Sequence, residues 1–505
     1  MALLDLPVEI LDQIIGLTLP SGIEAFALCC KAVHTRAASE ILRHNSLKQQ
    51  WRCTAITNHH RGDILRILYE ISCNPLIGQY IESLILWDRE QGPDGGDSHF
   101  QLSAEVMGPL KKTVLDFECL NDAGVDADDW WEEILREHKR GIADSRGDEE
   151  ALYTTISLLA QLPNLKTLEL PPGWYDRSRQ YERNKERTEK RLLAVLDAMI
   201  EQSNSNACHG KALGKLEFIL PSMEEGYDEE RAPLQCLEPF MKLKSLKELY
   251  ATSCLAVDDG YTGIPFQWRF PETNSSLTRV ELTFCCMDAD GISVLLSHTP
   301  LLSVFKYSHE TKWHGCLHDW NAGAFVEALA KHCGHSITEL AITLDWMGGD
   351  VCNGASFRSF PNLRNLEIDL RVLCGPPLGS GQEQGMLATI KSEWTVEELP
   401  CLADLLPESI VETQINTHLE EQHDEDEKAL KMLLKDFPNQ RESRLKDLAK
   451  IVVRQYRGDS LRTLVKKAGA KLSVFDQDGR HNWATPTMPA WKRNFDWRVE
   501  ALEVL

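Results

Sequence analysis

The sequence predicts an α/β chain: a three-helix segment at the amino terminus, then an irregular solenoid with parallel strands on its concave side and helices on its convex side. Three observations lead there. A degenerate phrase Leu-x-x-Leu-x-Leu recurs along the chain, most completely at Leu165, Leu168 and Leu170. Its copies are one strand-plus-helix unit apart, since Leu216, Leu246 and Leu277 are separated by 30 and 31 residues and Ile337 and Leu363 by 26. Apolar residues at helical spacing fill the first forty-odd positions.

In the amino-terminal segment, Leu6, Ile10, Leu11, Ile14 and Ile15 fall on one helical face. Pro7 suits a first turn, where no amide partner is needed, and Glu9 sits at the positive end of the helix dipole. A second stripe, Ile23, Phe26, Ala27 and Cys30, follows the Pro20-Ser21-Gly22 turn, and a third, Val33, Ala37 and Ile41, follows Lys31. Three helices of this size cannot close a core by themselves, so part of their apolar surface must be covered by something else.

Leu6-Pro7-Val8-Glu9-Ile10-Leu11 with Ile14, followed by Ala27-Leu28-Cys29-Cys30-Lys31-Ala32-Val33, resembles the F-box, the adaptor-binding motif of SCF-type ubiquitin ligases. The resemblance covers residues 3 to 45 and implies that Leu6, Pro7, Ile10, Leu11 and Ile14 contact a Skp-type adaptor, which links to a cullin. Internal packing against the first repeat is the alternative for the same side chains. The family often carries an aromatic residue near the end of this unit, whereas Trp51 lies further along.

Further copies of the repeat are Leu246-x-x-Leu249, Leu277-x-x-Val280-x-Leu282, Leu302-x-x-Phe305-x-Tyr307, Ile337-x-x-Leu340-x-Ile342 and Leu363-x-x-Leu366-x-Ile368. Leu216 to Leu220, Ile410 to Ile415 and Leu445-x-x-Leu448-x-x-Ile451 are weaker ones. Asp290 to Ser297 and Ala322 to His332 are helical candidates between copies. Leu162-Pro163-Asn164-Leu165, Phe360-Pro361-Asn362-Leu363 and Thr299-Pro300-Leu301-Leu302 announce their strands with a proline that ends the preceding helix and fixes the turn. With the later Leu406-Pro407-Glu408-Ser409-Ile410 and Phe437-Pro438-Asn439 phrases, the chain resembles the F-box and leucine-rich-repeat proteins of fungi. The expected organisation is a helical domain over 1–45, a helical linker or cap over 46–76, leucine-rich repeats over 77–475 with insertions near 120–151 and 176–190, and a carboxy-terminal tail over 476–505.

A net charge of −23 over 505 residues disfavours nucleic acid and anionic membranes as partners and favours basic ones. Neither a signal peptide nor a membrane span is legible, so the protein is expected inside the cell, cytoplasmic or nuclear. The 15 cysteines lie mostly in apolar strings and read as reduced, buried thiols. His332-Cys333-Gly334-His335, with Cys316 and His318 upstream, is only a fragment of a zinc site, and no metal or cofactor is expected. The acidic run Asp126, Asp128, Asp129, Glu132 and Glu133 around Trp130-Trp131 reads as a solvated helix face. The basic run Arg177, Arg179, Arg183, Lys185, Arg187 and Lys190 reads either so or as a nuclear-targeting signal. Glu412 to Lys428 reads as an exposed helix or loop, with a binding tail as the alternative. Trp174, Trp313, Trp320 and Trp346 are either interface anchors or plugs between repeats.

Alternation along the predicted strands turns the residues flanking each central leucine toward the concave surface. Glu169, Glu248, Tyr250, Arg279, Glu281, Lys306, Glu339 and Glu367 form the candidate target-binding face there, and acidic residues outnumber basic ones. One reading is that this face recruits a basic segment of an unidentified protein substrate. The other is that exposed positions of an acidic protein carry soluble residues. None of the short phosphate-loop, nucleophile-elbow or metalloprotease motifs is present, so no catalytic residue is expected and the chain is not read as an enzyme. The resemblance implies the substrate-recognition subunit of a ubiquitin ligase, with catalysis arising from tethering. The alternative is a leucine-rich-repeat interaction scaffold without a ligase role, whose first helices only cap the solenoid.

Overall fold

A computed structural model describes residues 6–56, 64–86, 100–143, 151–171, 174, 185–205, 210–223, 232–257, 264–312, 319–345, 351–352, 354–375, 400–417, 423–454, 460–475 and 489–504. The chain is mixed α/β and divides into two compact units, the first comprising Met1–Ser222, Leu243–Ser245 and Glu500–Leu505, the second Met223–Lys242 and Leu246–Val499. The boundary near residue 222 falls inside the region expected as one repeat domain. Arg177, Arg179, Arg183, Trp313, Cys316, His318 and Trp346 lie outside the described residues.

The first unit begins with α1 (Val8–Leu17), α2 (Ile23–Ala27), α3 (Lys31–Arg36) and α4 (Ala38–Trp51). Pro7 stands just ahead of α1, and its carbonyl accepts from the amides of Ile10 and Leu11 at 3.1 Å. The third expected helix is therefore two, divided at Ala37, and α4 runs straight across the domain limit expected at residue 45. Leu11, Ile15, Leu19, Ile23, Ala27 and Ala37 form the small core these helices share. Buried His44 on α4 meets Tyr80 Oη at 2.8 Å and Glu24 of α2 at 3.2 Å. That tie reaches α6 (Leu76–Tyr80), and burial pushes the Tyr80 phenol up to about 12.

Strands β1 (Cys53–Ala55), β2 (Ser83–Ile85), β3 (Thr167–Glu169) and β4 (Phe218–Leu220) follow, each parallel to the next. Parallel neighbours need a crossover, supplied by α5 (Ile64–Cys73) and α6, then by α7 (Ala104–Leu115), α8 (Glu118–Asp122), α9 (Ala127–Ala143) and α10 (Leu152–Leu159), then by α11 (Lys185–Asn204). β1 and β2 were not legible as repeats, being three residues each. The acidic run is the first half of α9, and its two tryptophans are core: Trp130 donates to Ser157 Oγ at 2.9 Å and Trp131 is buried. Its carboxylates keep the solvated side that the charge pattern predicts, except that buried Glu137 accepts from the Tyr153 and Thr154 amides.

The second unit carries β6 (Glu248–Thr252), β8 (Arg279–Met287), β9 (Val304–His309), β11 (Glu339–Leu344), β13 (Asn365–Asp369), β14 (Glu412–Asn416), β15 (Lys450–Arg454) and β16 (Lys471–Phe475), all parallel in that spatial order. Short pairs are made by β5 (Ala232–Pro233) with β7 (Cys254–Ala256), and by β10 (Trp320–Asn321) with β12 (Val351–Cys352). The helices are α12 (Glu238–Met241), α13 (Ala289–Ser297), α14 (Ala322–Cys333), α15 (Leu370–Cys374), α16 (Leu402–Leu405), α17 (His423–Leu433), α18 (Phe437–Ser443), α19 (Ser460–Lys467) and α20 (Ala490–Glu503, the last four residues of which fall in the first unit). Asp288 and Asn321 open α13 and α14 by accepting from Gly291 N at 2.6 Å and Ala324 N at 3.0 Å.

The strands from β6 to β15 in this ladder lie over the repeat phrases, whereas β16 lies over none, and Leu249, Val280, Leu282, Phe305, Tyr307, Leu340, Ile342, Leu366 and Ile368 are buried on one face. Phe325 of α14 stacks there on Tyr307 at 4.7 Å. The Pro-Asn phrase has a second role besides the turn: Asn164 donates to Gln79 O at 2.6 Å and Asn362 to His335 O at 2.7 Å, each tying its coil to the one before. Phe437-Pro438-Asn439 differs, because it starts α18, where a proline in the first turn is equally at home. The stretch expected as an exposed helix or loop from Glu412 opens as β14, with Thr413, Ile415 and Asn416 buried, before α17 begins. Trp174 and Trp320 are buried plugs.

A Cβ at Gly291 would stand 2.0 Å from Ala256 O, whereas one at Gly16 in α1 meets nothing within 4 Å. Gly291→Ala is accordingly expected to lower unfolding free energy by about 1–3 kcal/mol or more, and Gly16→Ala to raise it by up to about 1 kcal/mol. Urea midpoints of the two variants, moving in opposite directions, check this.

Candidate functional site

Two surfaces are candidates for function, one in each unit. In the first unit the helices divide their apolar residues between an internal core and solvent. Of the five residues assigned to an adaptor, Leu11 is buried in the shared core, Leu6 and Ile14 are half-buried, and Pro7 and Ile10 are exposed. Exposure extends beyond them: Val8 is 50% accessible, Leu17 84%, Leu28 80% and Leu42 71%, values far above those of ordinary apolar positions. Leu17 and Leu28 were missed in the sequence because both sit at helix ends, where periodicity stops assigning faces. The exposed pair Arg36–Asp12, bonded twice at 2.6 and 2.7 Å, links α3 to α1.

In the second unit the strand register builds the other surface. Glu248, Arg279, Val304, Glu339, Asn365, Glu412 and Lys450 stand side by side in one row; Tyr250, Glu281, Lys306, Ala341, Glu367, Gln414 and Val452 form the next. Seven of the eight residues proposed from alternation are thus brought together on one face; Glu169 is buried on β3 of the first unit. They are not an open acidic field. Arg279 meets Glu281 at 2.5 Å and Glu248 at 3.9 Å, Lys306 meets Glu339 at 2.7 Å and Glu281 at 3.5 Å, and Lys450 meets Glu412 at 2.7 Å. Tyr250, Glu281 and Lys306 are buried, which corrects the expectation of a freely accessible face.

What buries much of this face is α20, in place of the expected tail. The amides of Ala490 and Trp491 donate to Glu367 at 2.9 and 3.0 Å, so a strand carboxylate caps the positive end of the helix. Gln414 and Asn416 also donate to Glu367, yet burial dominates and raises its pKa above the ordinary carboxylate value. Trp491 Nε1 donates to Thr343 Oγ1 at 3.0 Å, and Lys492 bonds Asp345 while lying 3.3 Å over the Phe284 ring. Phe495 packs edge-on against Tyr250 at 5.7 Å, and Arg498 bonds Glu248 at 2.7 Å and the Tyr250 hydroxyl. Burial works against the charge of Arg498, but Glu248 and Tyr250 overcome it and raise its pKa; burial with Glu248 alongside likewise drives the Tyr250 phenol upward. The sequence signal for α20 was present: Trp491, Phe495 and Val499 recur every fourth residue.

Beside Glu367, Asp369 and Arg454 lie on the same face of β13 and β15. Burial moves Asp369 up to about 7, against Arg371 and Arg454, and moves Arg454 down to about 10, against Asp369 and Glu367. Elsewhere, His332 meets Ser293 Oγ at 2.8 Å, and Cys333 is buried with its thiol pushed up to about 11. Among the described residues no group of His, Cys, Asp and Glu could hold a metal ion, and no helix is long and apolar enough to cross a membrane. Comparison with protein-family models and with curated proteins found no match.

Because the folded pKa of Asp369 exceeds the ordinary 3.8, its contribution to stability is complete below that value and is lost as pH rises through about 7. Asp369→Asn removes the titration and can keep the hydrogen bond from the Arg371 amide. Between about pH 6 and about pH 8.5 the variant is expected to gain on wild type by roughly 1–1.5 kcal/mol. Paired urea titrations at the two pH values measure it, and a constant difference between the proteins would refute the assignment.

Proposed function

We propose that the chain is the substrate-recognition subunit of an SCF-type ubiquitin ligase. In this reading the amino-terminal helices are an F-box that docks on a Skp-type adaptor and through it a cullin, and the strand–helix units are leucine-rich repeats that hold a protein target. The chain then supplies no catalytic group: its contribution is to raise the effective concentration of target lysines near the charged conjugating enzyme. The observation that carries the reading is the exposed apolar set Pro7, Val8, Ile10, Leu17 and Leu28 on helices whose inward apolar residues already share a core, with Leu76 of α6 packed against it. Large apolar side chains left in water beside a satisfied core are what a docking surface needs and what a terminal cap avoids.

Leu11 is buried, so replacing it disturbs the fold and costs about 2–5 kcal/mol on truncation to alanine. Leu17→Asp and Leu28→Asp touch only solvent-facing positions and are expected to keep wild-type unfolding midpoints within about 0.5 kcal/mol. Each is expected to weaken capture by a purified adaptor–cullin fragment at least tenfold, as read by surface plasmon resonance. A wild-type chain that fails to bind the adaptor, or folded variants that bind it equally well, would favour the interaction scaffold instead.

A further inference from the structure

The strand face of the second unit is covered on unusual terms. Opposite α20, the same strands bury Leu249, Val280, Phe305, Tyr307, Leu340, Ile342, Leu366 and Ile368 against their crossover helices, so that face has an apolar core of its own, while α20 buries Trp491, Phe495 and Val499 on the other. The face that α20 covers carries Glu248, Arg279, Glu281, Lys306, Glu339, Glu367 and Gln414, groups that water solvates readily once uncovered. α20 is held by directed contacts at Glu367, Thr343, Asp345, Tyr250 and Glu248 together with the burial of Trp491, Phe495 and Val499, and its aromatic and arginine side chains are of the types that anchor interfaces. The fit also leaves capacity unused, because Glu281 Oε2, Asp345 Oδ2 and Arg454 Nε and Nη2 are buried without a hydrogen-bond partner among the described residues. Finally, a bulge in β8 places Phe284 in the left-handed region at φ 54° and presents its ring to Lys492. Such a conformation is disfavoured for a bulky side chain and is tolerated where it re-aims that side chain.

We propose that α20 is an intramolecular ligand of this face, and that the face takes in its place a helix of the partner protein with the same chemistry: Trp-Lys-x-x-Phe-x-x-Arg, an aromatic pair four residues apart with one cation between its members and a second three residues beyond. The inference rests on reading this face as the target-binding surface. It also specifies the basic target segment expected from the acidic strand positions, since the chain's own Lys492 and Arg498 already occupy the acidic sites Asp345 and Glu248. Target capture then requires release of α20, so the free chain is held in a state of low affinity.

A fluorescent peptide spanning residues 489–504, titrated into the full-length chain and followed by anisotropy, tests this. Wild type is expected to bind the peptide at least tenfold more weakly than Phe495→Ala, in which the internal copy is loosened, and replacing both Lys492 and Arg498 in the peptide by alanine is expected to abolish the gain. Equal and negligible binding by wild type and a folded Phe495→Ala chain overturns the proposal, as does a gain indifferent to the two cations. Hydrogen exchange on wild type gives a second route: amides of 492–499 are expected to exchange at least a hundredfold faster than those of β9 and β11. Exchange of α20 only together with those central strands makes it permanent core and overturns the proposal. Adaptor capture is measured separately through α1, so failure of that reading and failure of this one are distinguishable.

Discussion

Everything in the second unit depends on the in-register parallel ladder. Thr278 N donates to Lys247 O, Ser303 N to Thr278 O, Thr338 N to Ser303 O, Arg364 N to Thr338 O and Val411 N to Arg364 O, so each strand starts where its neighbour does. Register of this kind leaves no freedom about which side chains share a face. The crossover helices can cover only one face, and the leucine phrases are directed to it. The other face receives the charged and hydroxyl residues in rows, where neighbours of opposite sign lie one strand apart.

Those rows explain why an acidic face is not a bare acidic surface. Arg279, Lys306 and Lys450 are set between the glutamates by register alone, and α20 brings further positive charge as a dipole end at Glu367 and as side chains at Asp345 and Glu248. Burying these groups has opposing effects: desolvation raises Glu367 and Asp369 and lowers Arg454, while paired charges pull each back toward ionisation. A cover held this way depends on its charged partners as well as on the apolar area of Trp491, Phe495 and Val499.

The first unit shows the complementary situation. Its helices carry more apolar residues than their own packing consumes: Leu11, Ile15, Leu19, Ile23 and Ala27 close inward, while Val8, Ile10, Leu17 and Leu28 remain in solvent. Adjacent residues of one helix, Ile10 and Leu11, thus have different fates. A single residue step, about 100° around the helix, separates core from surface.

Periodicity alone determined the fold class, the position of nine of the main strands and the helices α13 and α14, because leucines spaced for a strand and then for a helix have few other ways to bury themselves. It also determined that the first residues form amphipathic helices and which strand residues share a face. Tertiary structure decided the rest. The short strands β1 and β2 exist through pairing with neighbours, since three residues carry too little pattern to stand out. The break at Ala37, the tryptophans of α9 as core, and the split of Ile10 from Leu11 follow from what packs nearby rather than from residue type. The placement of α20 is the largest such decision: its amphipathic spacing was legible, but no local feature states that Glu248 and Arg498, 250 positions apart, would meet. Local sequence specifies which face of an element is apolar, and only the assembled chain specifies what lies against it.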